Sequence, residues 1–150
     1  MAPADATADE IHSVYDTNVH GPIRVTHPYL PLLQAADHPR VVMVSSGGSF
    51  FTVVTVPEQP VSKIHELACS SSKAALNMIT VRYAQALPEI KFNVATPGEI
   101  AHRKFAATDM NNHTGRLTAT EGTDSIVKLA MVDVDGPTGT FIDRLGSVAW

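Results

Sequence analysis

The chain has 150 residues, which is enough for one compact domain but not for two, so we expect a single domain over residues 1–150. Apolar residues make up 44% of it and charged residues 17%, proportions typical of a globular protein. The net charge is -4 with neutral histidines and the few basic residues are scattered, which argues against a nucleic-acid partner. No apolar run approaches the roughly 18 residues that cross a bilayer, so no membrane association is expected.

Two features of the sequence bear on the cellular compartment. The N-terminal residues MAPADATADE are acidic and contain no apolar segment of the kind found in signal peptides. The single cysteine excludes an internal disulfide and is typical of a reducing compartment. Together they predict a cytoplasmic protein.

The first predicted element is a helix over residues 7–36. Thr7 is a candidate N-cap, and Glu10 lies three residues later, where its carboxylate completes a capping box. Three prolines, Pro22, Pro28 and Pro31, fall within the segment and predict kinks, since each removes a backbone donor.

A buried strand is predicted over residues 40–46, where the sequence RVVMVSS is continuously apolar before it ends in two serines. The connection that follows, residues 47–67, is long for a compact domain, and such loops are often functional. A second helix is predicted over residues 68–87. Its core-facing residues are expected to be Leu76, Ile79, Tyr83 and Leu87.

The C-terminal part contains two further strands and one helix. The sequence IKFNVATPG, residues 90–98, predicts a buried strand, and residues 99–118 are polar and irregular. A third helix is predicted over residues 120–132, with Ile126, Val127 and Ala130 facing inward, and a last strand over residues 139–144. Strands that alternate with helices of this length predict an α/β fold with three parallel strands and three main helices.

Four segments, TNVHG, RVVMVSS, CSSSKAALNMITV and IKFNVATPG, appear here in the order and spacing of a known family. In them the chain resembles the short-chain dehydrogenase/reductases, from about Thr7 to Trp150. The resemblance implies a partial Rossmann-like domain. It also implies an NAD(P)-dependent oxidoreductase that transfers hydride to or from a small carbonyl compound or alcohol.

The resemblance also implies site residues. It assigns catalytic roles to Asn18, Ser46 and Lys73, and the position of the family's catalytic tyrosine is occupied by Cys69. Residues 69 and 73 lie one helical turn apart, so a lysine at 73 lowers the pKa of an acid at 69. A water chain from Asn18 to Lys73 would satisfy the Asn18 amide.

Each of these four residues also has a simpler interpretation. Asn18 is equally well explained as a helix-kink amide, Ser46 as a strand terminator and Lys73 as a solvated lysine. The joint spacing favours catalysis for those three. A lone free cysteine is more often a small packing residue, and the sequence favours that interpretation for Cys69.

The cofactor site is expected to be incomplete. The resemblance assigns Lys73, Pro97, Gly98 and Thr108 to the binding of NADP or NAD. The sequence contains no glycine-rich turn of the kind that holds a pyrophosphate, so the N-terminal cofactor half, four strands of the family fold, is missing. We therefore expect a truncated and impaired enzyme, unless the true start lies upstream of Met1.

A second functional class remains open on the sequence alone. The family's dimers pair two helices that correspond to residues 7–36 and 68–87. Both helices are retained, so the chain could be a non-catalytic remnant or dimerising module that forms a homo-oligomer through this face. Seven histidines are present without an H-x-x-x-H or cysteine–histidine spacing, so no metal site is expected.

Overall fold

The structure, a computed structural model, describes residues 2–100 and 104–150, apart from the side chains of Pro60 and Met110. The helices are α1 (Ala8–Tyr15), α2 (Gly21–Ala35), α3 (Phe51–Val54), α4 (Leu67–Ala86) and α5 (Ala119–Ala130). The strands are β1 (Arg40–Val44), β2 (Lys91–Ala95), β3 (Gly98–Glu99), β4 (Lys104–Phe105), β5 (Phe141–Asp143) and β6 (Gly146–Val148).

The main sheet has the order β1-β2-β5-β6. Strands β1, β2 and β5 are parallel, which confirms the predicted α/β fold with three parallel strands. Strand β6 is antiparallel to β5 and was not predicted. It follows a tight turn in which the Asp143 carboxylate accepts the backbone N–H groups of Leu145 at 2.8 Å and Gly146 at 3.1 Å.

The first helical segment begins as predicted, because Thr7 and Glu10 form a reciprocal capping box. Its course differs in one respect. Between α1 and α2 the backbone widens into a π-helical turn, Asp16–His20, and the helix then continues without interruption. Turns of this kind occur often at functional sites.

Helices cover both faces of the sheet, which explains why its central strands β2 and β5 are almost entirely buried. Two clusters on one face and one on the other form the core. On the face of α2 and α4 these are Met43, Phe50, Leu76, Val94, Ile100 and Phe141 together with Ala84, Ile90 and Phe92. On the face of α5 they are Ala95, Leu129 and Ile142.

The predicted inner faces of two helices need correction. The side of α4 that is buried is mostly small and polar, and consists of Ala68, Ser72, Leu76, Asn77, Thr80 and Ala84. Of the predicted residues, Leu76 is buried and Ile79, Tyr83 and Leu87 are half-buried. In α5, Val127 and Ala130 are exposed, while Ser125 and Leu129 are buried. A prediction based on large apolar residues does not identify a face on which small residues let the helix approach the sheet closely.

Candidate active site

The site begins where β1 ends. Beyond Val44 the chain turns through Ser45 and Ser46 into a single 3-10 turn, Gly47–Ser49. The Ser46 hydroxyl oxygen accepts the Gly48 N–H at 3.2 Å, so Ser46 is the N-cap of this turn. The cap fixes the side chain at the carboxyl end of the strand, where it is half-buried.

Ser46 and Cys69 line the same cavity, which has a volume of about 90 Å³. The other walls are formed by the apolar side chains of Val61, Ile64 and Phe105 and by Gly48, Glu66 and Ser70. Cys69 lies in the first turns of α4 and is half-buried. A hydroxyl and a thiol therefore face one small and mostly apolar space.

Lys73 follows Cys69 by one turn of α4. Its Nζ donates a hydrogen bond to the backbone oxygen of Val44 at 2.8 Å, which ties the amine to the end of β1. Burial lowers the pKa of the Lys73 ammonium below its ordinary value, and the Cys69 charge opposes this.

The pKa of the Cys69 thiol is raised, contrary to the effect expected from its lysine neighbour. Burial is the first cause and the Glu66 carboxylate the second, and together they outweigh the lowering by Lys73. The sequence predicted the influence of Lys73 correctly but gave no measure of burial. Cys69 is consequently a thiol rather than a thiolate at neutral pH.

Asn18 lies in the π-helical turn and is hydrogen-bonded to α4 through Ser72. Its Nδ2 donates to the Ser72 hydroxyl at 3.0 Å, and that hydroxyl donates to the backbone oxygen of Cys69 at 3.0 Å. We predicted a water chain from Asn18 to Lys73, whereas the structure gives the amide a direct partner in Ser72. Sequence analysis missed Ser72, although its spacing from Leu76 places it on the buried face.

Asn18 and Lys73 line a second space, a groove of about 450 Å³ that runs along the outer edge of β1. The four predicted catalytic residues thus meet around the first turns of α4 but face two spaces. Ser46 and Cys69 face the small cavity, while Asn18 and Lys73 face the groove.

A buried polar network beneath the site was also missed. The Asn77 Nδ2 donates to the Ser49 hydroxyl at 2.8 Å, and the hydroxyls of Ser45 and Ser49 are 3.3 Å apart. These contacts join α4 to the turn that carries Ser46. They hold Ser46 against the helix that carries Cys69 and Lys73. Supporting contacts of this kind keep the functional side chains of a site in a fixed geometry.

The predicted cofactor residues beyond Lys73 lie elsewhere. In the described part of the chain, the linings of the cavity and the groove include neither Pro97, Gly98 nor Thr108. Gly98 is related to the cavity indirectly, because it pairs with Phe105, and Phe105 is part of the cavity wall. It has φ +140, and a Cβ there would lie 2.4 Å from the Lys104 oxygen, so the position requires glycine. Thr108 is exposed and caps the 3-10 turn Asp109–Asn111.

An ion cluster holds the β3–β4 hairpin in place. The Glu99 carboxylate is only 2% exposed and contacts Arg144 Nη1 at 3.0 Å and Lys104 Nζ at 3.3 Å. Arg144 also bonds Asp124 of α5 at 3.0 Å. The sequence pattern does not predict the contacts of Arg144, because it lies 45 residues from Glu99 and 20 from Asp124.

Two features are absent from the described residues, 2–100 and 104–150. No group of three or more histidine, cysteine or acidic side chains in this part is placed to hold a metal ion. None of its helices combines the length and the apolar character that a membrane crossing requires.

Known proteins resemble this chain in both sequence and structure. (+)-Neomenthol dehydrogenase from Capsicum annuum is 29% identical over 86% of this chain and 50% of its own length. The structure of salutaridine reductase from Papaver somniferum has a TM-score of 0.73 at 26% identity, over 91% of this chain and 56% of that one. NADPH-bound carbonyl reductase from chicken fatty liver shares the fold, with a TM-score of 0.76 at 22% identity, over 100% of this chain and 61% of that one.

The chain spans about half the length of the curated relatives that it matches. A family model described as short chain dehydrogenase matches residues 2–113, which is well over half of the chain. This agrees with the four sequence segments and with the parallel sheet. The chain therefore belongs to the short-chain dehydrogenase/reductase family.

Proposed function

We propose that this chain supplies the substrate side of an NAD(P)-dependent oxidoreductase that interconverts a small carbonyl compound and its alcohol, at a low rate. One observation carries the proposal. Ser46 and Cys69 face a single cavity, and Lys73 lies one helical turn below the thiol. Reduction of a carbonyl builds negative charge on its oxygen, and these are the groups that would stabilise and protonate it.

Ser46 would orient the substrate. Its oxygen already accepts the Gly48 N–H, and its own hydrogen has no acceptor among the described residues. The hydroxyl is therefore placed to donate to a carbonyl oxygen in the cavity. The apolar side chains of Val61, Ile64 and Phe105 would limit the access of water to the cavity and so strengthen that hydrogen bond.

Cys69 would be the proton donor. Because its pKa is raised, the thiol retains its proton at neutral pH and has one to give. Its reach is shorter than that of the phenol found at this position in the family. Loss of a well-positioned proton donor typically costs on the order of 10²–10⁴ in rate. We therefore propose that activity is impaired rather than abolished.

Lys73 would act on Cys69 through its charge and on the cofactor through its position. The ammonium opposes the rise in the thiol pKa and so favours proton release. It also faces the groove beside β1, together with Asn18. These two residues fit the nicotinamide and ribose end of NADP or NAD, which when bound would supply the hydride. The chain offers no glycine-rich turn for the pyrophosphate.

The experiment compares Cys69→Tyr with the wild type and with Cys69→Ser. We expect Cys69→Tyr to raise the rate of NADPH oxidation with a small ketone by about 10², because a phenol reaches further into the cavity. Cys69→Ser removes the sulfur without adding reach, so its rate should not rise. Nucleotide binding is measured first, by NADPH and NADH fluorescence. Failure of both nucleotides to bind at roughly millimolar concentration would refute the enzymatic proposal for this chain.

A second candidate, the dimerising module, is favoured by the outer face of α2 and α4. Met78 is 62% exposed and Ile23 36%, and both border a shallow apolar depression with Ile79 and Tyr83. Large exposed apolar patches mark association surfaces. Light scattering should find a dimer that Met78→Glu dissociates, because a charge would be buried in it. Lys128→Glu, on α5, is the control and should leave the dimer intact. A monomeric wild type would refute this candidate.

A further inference from the structure

Glu66 brings a negative charge to the cavity that Ser46 and Cys69 face. Among the described residues that line this cavity, Glu66 is the charged one. Its carboxylate raises the pKa of the Cys69 thiol, and this effect is larger than the opposite effect of Lys73. The net side-chain charge that acts on the sulfur is therefore negative.

The Glu66 carboxylate is not engaged by the rest of the described chain. Glu66 is the N-cap residue of α4, but its side chain accepts no hydrogen bond from the first turn of that helix. It is exposed, and its carboxylate forms no hydrogen bond or ion pair with the described residues. The start of a helix carries about half a positive elementary charge, which the full negative charge of a carboxylate exceeds. The charge and the acceptor oxygens of Glu66 are thus available to a ligand.

Ser70 supplies a second oxygen next to this carboxylate. Its backbone N–H donates to the Glu66 backbone oxygen at 3.1 Å, so the two residues lie one turn apart on one face of α4. The Ser70 hydroxyl lies 3.0 Å from the position that a Cβ would take at Gly48, and it therefore faces the turn that follows Ser46. Ser70 lines the cavity, and its hydroxyl has no hydrogen-bond partner among the described residues.

These acceptors define the chemical class of a ligand that fits beside the carbonyl. An ammonium group carries a positive charge and three donors and has no acceptor, so it complements a carboxylate and a hydroxyl oxygen. Hydrogen bonds of this charge-assisted kind are roughly twice as strong as those between neutral groups. A carboxylate or phosphate on the ligand would instead be repelled by Glu66.

We infer that Glu66 is a specificity-determining residue that selects carbonyl substrates with an ammonium group close to the carbonyl, as in small amino ketones. Ser70 accepts a second hydrogen bond from the same ammonium. The inference rests on the proposed function, since it takes the cavity to be the place of the carbonyl. Binding also has a consequence for Cys69. An ammonium that pairs with Glu66 offsets the charge that raises the pKa of the thiol, and so favours transfer of its proton.

The test measures the charge preference of the cavity without nucleotide or turnover. Cys69 is the single cysteine, so a thiol-specific reagent reports on this position alone. The probes are three methanethiosulfonates that carry a cationic 2-aminoethyl, a neutral methyl or an anionic 2-sulfonatoethyl group. Each rate constant is divided by that of the same reagent with 2-mercaptoethanol. We expect the normalised rate of the cationic reagent to exceed that of the anionic reagent by about fivefold to tenfold.

The variant Glu66→Gln tests the source of this preference. It removes the charge at nearly constant volume, and we expect the ratio of cationic to anionic rates to fall by at least about threefold. A change in the thiol pKa multiplies all three rates alike, so the ratio is insensitive to it. The matched control is Glu58→Gln, which removes an exposed carboxylate outside the cavity lining and should keep the wild-type ratio. Glu66→Asp retains the charge and should keep the preference for the cation.

A second measurement tests the substrate class. 1-Aminopropan-2-one, which is predominantly a cation at about pH 7, and hydroxyacetone, a neutral ketone of similar size, are titrated as protectants of Cys69 against the methyl reagent. We expect the amino ketone to protect the wild type at a concentration at least about fivefold lower. In Glu66→Gln the two ketones should protect alike.

Three results would overturn the inference. The first is equal normalised rates for the three reagents in the wild type, a comparison that needs no variant. The second is a preference for the cation that Glu66→Gln leaves unchanged, or that Glu58→Gln reduces to the same extent. The third is equal protection of the wild type by the two ketones. None of these measurements includes nucleotide, so a failure of NADPH to bind would refute the proposed function without altering their results.

Discussion

The two lateral ends of the sheet are built in opposite ways. At the β6 end, the Asp143 carboxylate accepts three backbone N–H groups, and the Glu99 carboxylate contacts Arg144 and Lys104. At the β1 end, outward-facing backbone groups line a groove, and Lys73 contacts one of them. The comparison shows that carboxylate contacts within the chain stabilise the β6 end, whereas the outward-facing backbone of β1 borders a groove beside the proposed site.

Among replacements that act through a side chain, the largest expected effect is at the β6 end. Replacing Arg144 by Met removes one cation from the buried Glu99 carboxylate, and we expect the free energy of unfolding to fall by about 2–3 kcal/mol. Denaturant unfolding measures this change in the free energy of unfolding. The control is Arg24→Met, which removes an exposed ion pair with Asp16 and should cost less than about 1 kcal/mol. Equal costs for the two variants would show that the Glu99 cluster contributes no more than a surface pair.

A smaller effect is expected at the open end. The Lys91 N–H donates to the Pro39 oxygen and the Ser45 N–H to the Ala95 oxygen, so the odd-numbered residues of this segment bond β2 and Val42 faces the open edge. Because the Val42 N–H has no role in the β1–β2 ladder, Val42→Pro should lower the free energy of unfolding by about 1 kcal/mol or less. Met43→Pro, one residue along, removes a ladder donor and should cost about 3 kcal/mol or more. If the two prolines cost the same, the assignment of the open edge is wrong.

The fold was predictable where local patterns determine it. Mostly apolar runs predicted β1 and β2, and the capping residues Thr7 and Glu10 predicted the start of α1. The short strand β6 depends on the contacts of one carboxylate, Asp143, with a turn, and three residues are too few to carry a periodic signal. The buried face of α4 was misassigned because close packing there selects small and polar residues over large apolar ones.

The candidate site was predictable in its members but not in its arrangement. Family spacing pointed to Ser46, Cys69 and Lys73, and the structure places all three around the first turns of α4. The family spacing could not show that Ser46 and Lys73 face different spaces, because that depends on how α4 lies across the end of β1. Nor could the sequence give the direction of the shift in the Cys69 pKa, since burial is a property of the fold.

The most direct test of the account is the pH dependence of Cys69 alkylation by iodoacetamide, since only the thiolate reacts. The wild-type midpoint should lie above that of free cysteine, about 8.5, because burial and Glu66 raise the pKa. Lys73→Met should move the midpoint to still higher pH, because it removes a charge that favours the thiolate, and Glu66→Gln should move it to lower pH. A midpoint below that of free cysteine, or one that Lys73→Met leaves unchanged, would contradict the claim that Cys69 and Lys73 share one site.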